Sequence, residues 1–195
     1  MRTFIALIAS FISHQLWAGD IPLVERQQWG AKKAQVGLMK RHAITGILIH
    51  HTSVRQQPRL TVEKKMRGLQ SFSQRPGRVG RRRKPVWGDV PYHYYIGVSG
   101  RIAEGRSLGY AGDTNTRYNT LGWAQIVLEG NFTKEQPNEK QLMSLFDLVV
   151  VLAKKHPNVT KNIAGHNDQA STNCPGPNLK RYLPKLREHL AKTVR

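Results

Sequence analysis

The sequence predicts an α/β fold: a single domain in which one β-sheet is covered by helices. Short β-branched apolar runs interleave along the chain with stretches of helical periodicity. The 195 residues suffice for one domain with a real core. A composition of 39% hydrophobic and 8% aromatic residues is that of a globular protein, which excludes wholesale disorder.

At the start, Arg2 precedes the apolar run Thr3 to Ile12, and a more polar stretch ends in Leu16-Trp17-Ala18. The run is too short to span a bilayer. This is the layout of a secretory signal peptide, residues 1–18, and it leaves a domain over residues 19–195. The alternative is a buried first strand or helix. Ile44 to Ile49 reads as a buried strand that ends in His50-His51-Thr52. From Thr61, the spacing of Val62, Met66, Leu69 and Phe72 predicts a short amphipathic helix. Arg75 to Pro85, broken by Pro76, Gly77 and Gly80, reads as a basic loop.

Tyr92 to Val98 and Arg101 to Glu104, separated by Ser99-Gly100, predict a hairpin. Ala124 to Leu128 is a further short strand. Asn138 to Lys155 predicts the longest helix, with Leu142, Leu145, Phe146, Val149 and Leu152 on one face. Asn162 to Gly165 leads into a loop that carries His166 and Cys174. Asn178 reads as the cap of a last helix with Leu179, Tyr182, Leu183, Leu186 and Leu190 on its apolar face. No segment after the signal is long and apolar enough for a transmembrane helix, so an exported protein, periplasmic or extracellular, is expected.

The formal net charge of +19 implies attraction to something anionic: nucleic acid, an anionic membrane surface or the bacterial wall. Nucleic-acid recognition lacks both aromatic interleaving and a recognisable motif, and an export signal argues against it. The run Arg81, Arg82, Arg83, Lys84 is either a solvated loop or a contact with anionic wall polymer. Cys174 is the only cysteine, so no internal disulfide forms, which tilts the expected source toward bacteria. A lone exported thiol has a reason to exist if it ligates a metal.

His50 ends a buried strand, and His166 precedes Cys174 by eight positions in a loop rich in Asn, Ser, Thr and Pro. Two imidazoles and a thiolate suit Zn²⁺, and three protein ligands leave a fourth position for water. Neighbours on a strand point to opposite faces, so His51 and His93 are expected to be structural or supporting groups.

Four blocks carry a family resemblance: Ile49-His50-His51-Thr52; Trp87-Gly88-Asp89-Val90-Pro91-Tyr92-His93-Tyr94-Tyr95-Ile96; Glu129-Gly130-Asn131-Phe132; and Gly165-His166-Asn167-Asp168 through Thr172-Asn173-Cys174-Pro175-Gly176. In this order they resemble the zinc N-acetylmuramoyl-L-alanine amidases that share a fold with peptidoglycan recognition proteins and phage amidase lysozymes. The likeness runs from about Val24 to Leu190. It implies a central mixed β-sheet flanked by α-helices, with Zn²⁺ held by His50, His166 and Cys174. It also implies that Tyr92 assists at the metal and that Thr172 stands where phage enzymes carry a lysine. The substrate implied is the amide between N-acetylmuramic acid and L-alanine of peptidoglycan. Many relatives have a histidine before the Tyr-Asn that corresponds to Tyr118-Asn119; here the matching stretch is Asp113-Thr114-Asn115-Thr116. The rival expectation is a non-catalytic peptidoglycan-binding protein on the same fold, against which the presence of both Cys174 and Tyr92 weighs. Glu104 and Asp168 are the candidates for a separate general base.

Overall fold

The computed structural model describes residues 21–194. The expected signal peptide, residues 1–18, lies outside them. In chain order the principal elements are β1 (Leu23–Val24), β2 (Gly46–His51), α1 (Val62–Ser73), β3 (Gly77–Val79), β4 (Arg82–Lys84), β5 (Tyr94–Ile96), β6 (Ile102–Glu104), β7 (Trp123–Leu128), α2 (Glu139–Lys155), β8 (Ile163–Gly165), α3 (Pro177–Lys180) and α4 (Leu183–Thr193).

β2 is buried along its whole length because both of its edges are paired and both of its faces are covered. β7 lies parallel to it on one side and β8 parallel on the other, in a six-stranded sheet of order β1-β6-β5-β7-β2-β8. The sheet is mixed: β5 runs parallel to β7 and antiparallel to β6, whose other neighbour β1 is parallel. The β5–β6 connection is the expected hairpin, with Gly100 at φ +83° in the turn.

Alternation along the strands sorts side chains between two faces. Ile47, Ile49, Ile96, Ile126 and Leu128 form the main core with Leu145, Leu148, Val149 and Leu152 of α2 and Leu183, Leu186 and Leu190 of α4. The opposite face gathers Tyr95, Val127 and the α1 residues Val62 and Met66. His50 pairs with Val127 in register and belongs to this second face. The helices start where the sequence indicates. The Thr61 side chain accepts from Lys64 N, and Asn138 forms a reciprocal capping box with Gln141.

Two expected elements are corrected. The segment read as a basic loop is a β-hairpin, β3–β4, whose two-residue turn is permitted by Gly80 at φ +58°. The expected last helix is broken into α3 and α4, because Pro184 in the first turn of α4 has no N–H to continue α3. Asn178 is therefore not a cap; it sits inside α3 and donates from Nδ2 to Glu135 O at 2.8 Å. No helix among the described residues is long and apolar enough to cross a membrane.

The loop between β6 and β7 is pinned by one buried cation. The Arg106 guanidinium is 1% exposed; it donates to the carbonyls of Val90, Ala111 and Asp89 and pairs with the Asp113 carboxylate. Removing one partner of such a buried set strands the others without water. Arg106→Met is expected to destabilise the protein by about 3–5 kcal/mol, read by urea unfolding followed by circular dichroism. A change within about 0.5 kcal/mol, the ordinary range for a surface substitution, would show that the loop is held otherwise.

Candidate metal centre

Three elements converge on the second face of the sheet. β2 brings His50 one residue short of its end. β8 ends at Gly165, so His166 opens the short 3₁₀ turn His166–Asp168 beside it. Cys174 returns from the following loop. His50, His166 and Cys174 are all buried, and one donor atom from each lies within 4.8 Å of the others. The His50 and His166 rings are 4.6 Å apart. Cys174 Sγ stands 3.6 Å from His50 Nδ1. Two donors at about 2.1 and 2.3 Å from one tetrahedral zinc also stand about 3.6 Å apart, so this pair has the right separation.

Burial leaves the imidazole donors of the cluster unprotonated. Burial lowers the pKa of His50 well below the ordinary imidazole value, helped by His166, and burial brings His166 to about 4. Both rings are neutral at pH 7 and offer lone pairs. Burial pushes the Cys174 thiol up to about 12, against a hydrogen bond from the His51 main-chain N–H to Sγ at 3.3 Å. A bound cation reverses that penalty by stabilising the thiolate. Donor type, burial and the His50–Cys174 separation fit zinc.

The Pro-Gly after the cysteine has a packing reason. A Cβ on Gly176, at φ +86°, would lie 2.4 Å from the Phe132 carbonyl carbon, so the loop lies directly on the Phe132 backbone. Phe132 N in turn donates to His51 Nδ1 at 3.1 Å. His51 uses its other nitrogen on Ser53 Oγ at 2.7 Å. His93 is fully engaged too: Nδ1 accepts from Gln125 N at 2.8 Å and Nε2 bonds to Tyr110 O at 2.9 Å. Both imidazoles are engaged away from the cluster, His51 as alternation along β2 predicts and His93 just before β5, although His51 reaches the site through its main chain.

The Tyr92 ring centre lies 5.2 Å from that of His50. Burial, with Cys174 and Tyr118 nearby, raises its pKa, so the phenol keeps its proton. Thr172 Oγ1 accepts from Cys174 N at 3.3 Å, the turn bond its position favours, and its own hydrogen remains available to a substrate. Asp168 is spent on Gly165 N at 2.8 Å and Lys180 Nζ at 2.6 Å, and Glu104 Oε2 receives Arg26 N at 3.4 Å on the far side of the sheet. Neither carboxylate is brought to the cluster.

Of the basic run, Arg81, Arg82 and Arg83 are exposed on the hairpin. Lys84 is not, which corrects its expected wall contact. At 2% exposure its ammonium donates to the carbonyls of Ser73, Arg75 and Pro85 and sits 4.5 Å from the centre of the Trp87 ring. Two site neighbours carry no sequence assignment: Thr116, whose hydroxyl meets His166 Nε2 at 2.7 Å, and Tyr118, whose ring lies 5.0 Å from that of His166. The only signal was that residues 113–116 depart from the histidine-bearing pattern.

A sheet of this topology with a His-His-Cys cluster at the ends of its parallel strands defines a class that comparison with known proteins makes specific. Residues 40–177 match the family model for N-acetylmuramoyl-L-alanine amidase, and the chain belongs to that family. It is 29% identical over 181 residues to peptidoglycan-recognition protein SD of Drosophila simulans, covering 89% of this chain and 90% of the relative. It is 26% identical over 193 residues to the mouse N-acetylmuramoyl-L-alanine amidase, covering 94% of this chain but 35% of that longer protein. The crystal structure of Drosophila peptidoglycan recognition protein SD superposes with a TM-score of 0.73 at 27% identity, covering 85% of this chain and 95% of the other. The fold is that of the peptidoglycan recognition proteins. These relatives are animal proteins, whereas a bacterial source was expected from the single cysteine.

Proposed function

We propose that the protein is an exported, zinc-dependent N-acetylmuramoyl-L-alanine amidase, of bacterial source, that hydrolyses the amide between the lactyl group of N-acetylmuramic acid and L-alanine in peptidoglycan. The observation that carries this reading is the convergence of His50, His166 and Cys174, with their donors within 4.8 Å, beside the protonated phenol of Tyr92.

His50, His166 and Cys174 would hold the ion, and the His51 N–H would orient the sulfur. Zinc, when bound, supplies a Lewis acid for the amide carbonyl and brings the pKa of water toward neutrality. Tyr92 donates its hydroxyl proton in a hydrogen bond to the oxygen on which negative charge develops. Thr172 offers a second hydroxyl but not the charge of a lysine, so Tyr92 carries more of this stabilisation. The buried, neutral walls strengthen each such bond. Among the described residues, Asp168 and Glu104 are engaged away from the cluster, so neither is assigned the role of general base.

The hairpin supports a wall-contact role for its exposed arginines. Arg78 and Arg83 face each other in register on one side of β3–β4. Like charges directly opposite disfavour the pairing, and an anionic polymer lying across them would relieve that repulsion. Arg82 is different, since its Nη1 donates to Asn115 O at 3.1 Å.

Two substitutions separate metal binding from turnover. Cys174→Ser is expected to abolish zinc retention and activity with the circular dichroism spectrum preserved. Tyr92→Phe is expected to keep stoichiometric zinc and lose about 10²–10³ in rate on a muropeptide. Full activity in either variant contradicts the role assigned to that residue. For the hairpin, the Arg81→Ser/Arg83→Ser double variant is expected to sediment less with intact sacculi at low salt and to show a shallower salt dependence. Hydrolysis of a small soluble muropeptide should be nearly unchanged. Wild-type sedimentation by this variant would make the hairpin a solvated face.

A further inference from the structure

We propose that Thr116 is the positioning residue for the ligand His166, and that it commits His166 to meet the ion through Nδ1. The inference rests on the zinc reading above. Thr116 Oγ1 lies 2.7 Å from His166 Nε2, and Thr114 Oγ1 lies 2.8 Å from Thr116 Oγ1 while accepting from Thr116 N at 3.1 Å. An imidazole that ligates through one nitrogen must carry its proton on the other, and whatever that proton meets fixes the tautomer and the plane of the ring. With Nδ1 on the ion, one direction of donation runs from the ring to Thr114 without conflict. His166 Nε2–H donates to Thr116 Oγ1, the Thr116 hydroxyl donates to Thr114 Oγ1, and Thr114 Oγ1 also receives the Thr116 N–H.

The opposite direction, with the Thr116 hydroxyl donating to Nε2, leaves the proton on Nδ1 and the ring unable to ligate there. The hydroxyl pair accepts the Nε2 proton without introducing a charge, whereas a carboxylate there would add one to a buried site. The loop is held in place for the task at two points: Asp113 by the buried Arg106, and the Asn115 carbonyl by Arg82 of the basic hairpin. Thr116 does not touch the reacting atoms; it acts through His166.

The test is zinc affinity of the full chain, measured by competition with a chromophoric chelator and accompanied by the visible spectrum of the Co²⁺-loaded protein. Thr116→Val keeps the shape of the side chain and removes the hydroxyl; Thr116→Ser keeps the hydroxyl. Thr116→Val is expected to weaken zinc by about 10–100-fold and to alter the cobalt spectrum. Thr116→Ser should restore both toward wild type, with circular dichroism unchanged throughout. Wild-type affinity in Thr116→Val, or equal losses in the Val and Ser variants, overturns the proposal. If Thr116→Val does not fold, Thr114→Val serves in its place. It removes the next acceptor and is expected to weaken zinc in the same direction by less, and an unchanged affinity there overturns the proposal as well. Cys174→Ser keeps the two readings apart. If it loses zinc and Thr116→Val does not, the metal assignment stands and the role of Thr116 falls. If the wild-type chain itself binds no zinc, the metal assignment falls and takes this proposal with it.

Discussion

Gathering two imidazoles and a thiol inside a protein costs desolvation that hydrogen bonds among them do not offset. His50 and His166 are driven neutral by burial, and the Cys174 thiol is driven up to about 12. The remaining architecture is arranged around that cluster. Parallel pairing of β2 with β7 and β8 fixes where the strand ends lie, and so fixes His50 beside His166. Gly176, with no room for a Cβ against Phe132, presses the Cys174 loop onto the same strand ends. His51, although its side chain faces the other core, closes the arrangement with its main-chain N–H on the sulfur. Covering both faces of the sheet leaves the cluster a polar site within an apolar setting, where a neutral phenol such as Tyr92 makes its strongest hydrogen bonds.

Much of this was legible in the sequence because it is local or periodic. The apolar run before His50, the helical spacing of α1 and α2 and the Ser99-Gly100 turn each specify their own element. Opposite faces for His50 and His51 follow from the pleat alone. The grouping of His50, His166 and Cys174 was legible in a different way, from the order of short motifs and not from spacing, since Cys174 and His50 are 124 residues apart and meet only through the sheet.

What was not legible depends on contacts between distant segments or on one residue that overrides a pattern. The basic segment reads as a loop because arginine carries no strand signal, and only the Gly80 turn lets its two halves pair. Lys84 reads as one more surface charge, yet carbonyls from Ser73, Arg75 and Pro85 converge on it beside the rings of Phe72 and Trp87. The apolar stripe from Leu179 to Leu190 is continuous in sequence, while Pro184 divides the helix that carries it. Thr116 meets His166 across 50 residues through a single hydroxyl, a contact for which no sequence period exists.

As an amidase, this site would cut the bond between glycan and stem peptide. Mass analysis of purified sacculi incubated with the zinc-loaded protein, with a parallel sample in chelator, tests it most directly. Free stem peptides beginning at L-alanine are expected, together with glycan strands whose lactyl groups are unsubstituted, both lost in the chelated sample. Sacculi that bind the protein yet release no stem peptide would contradict it, and would make the His50, His166 and Cys174 cluster part of a recognition surface and not of a hydrolase.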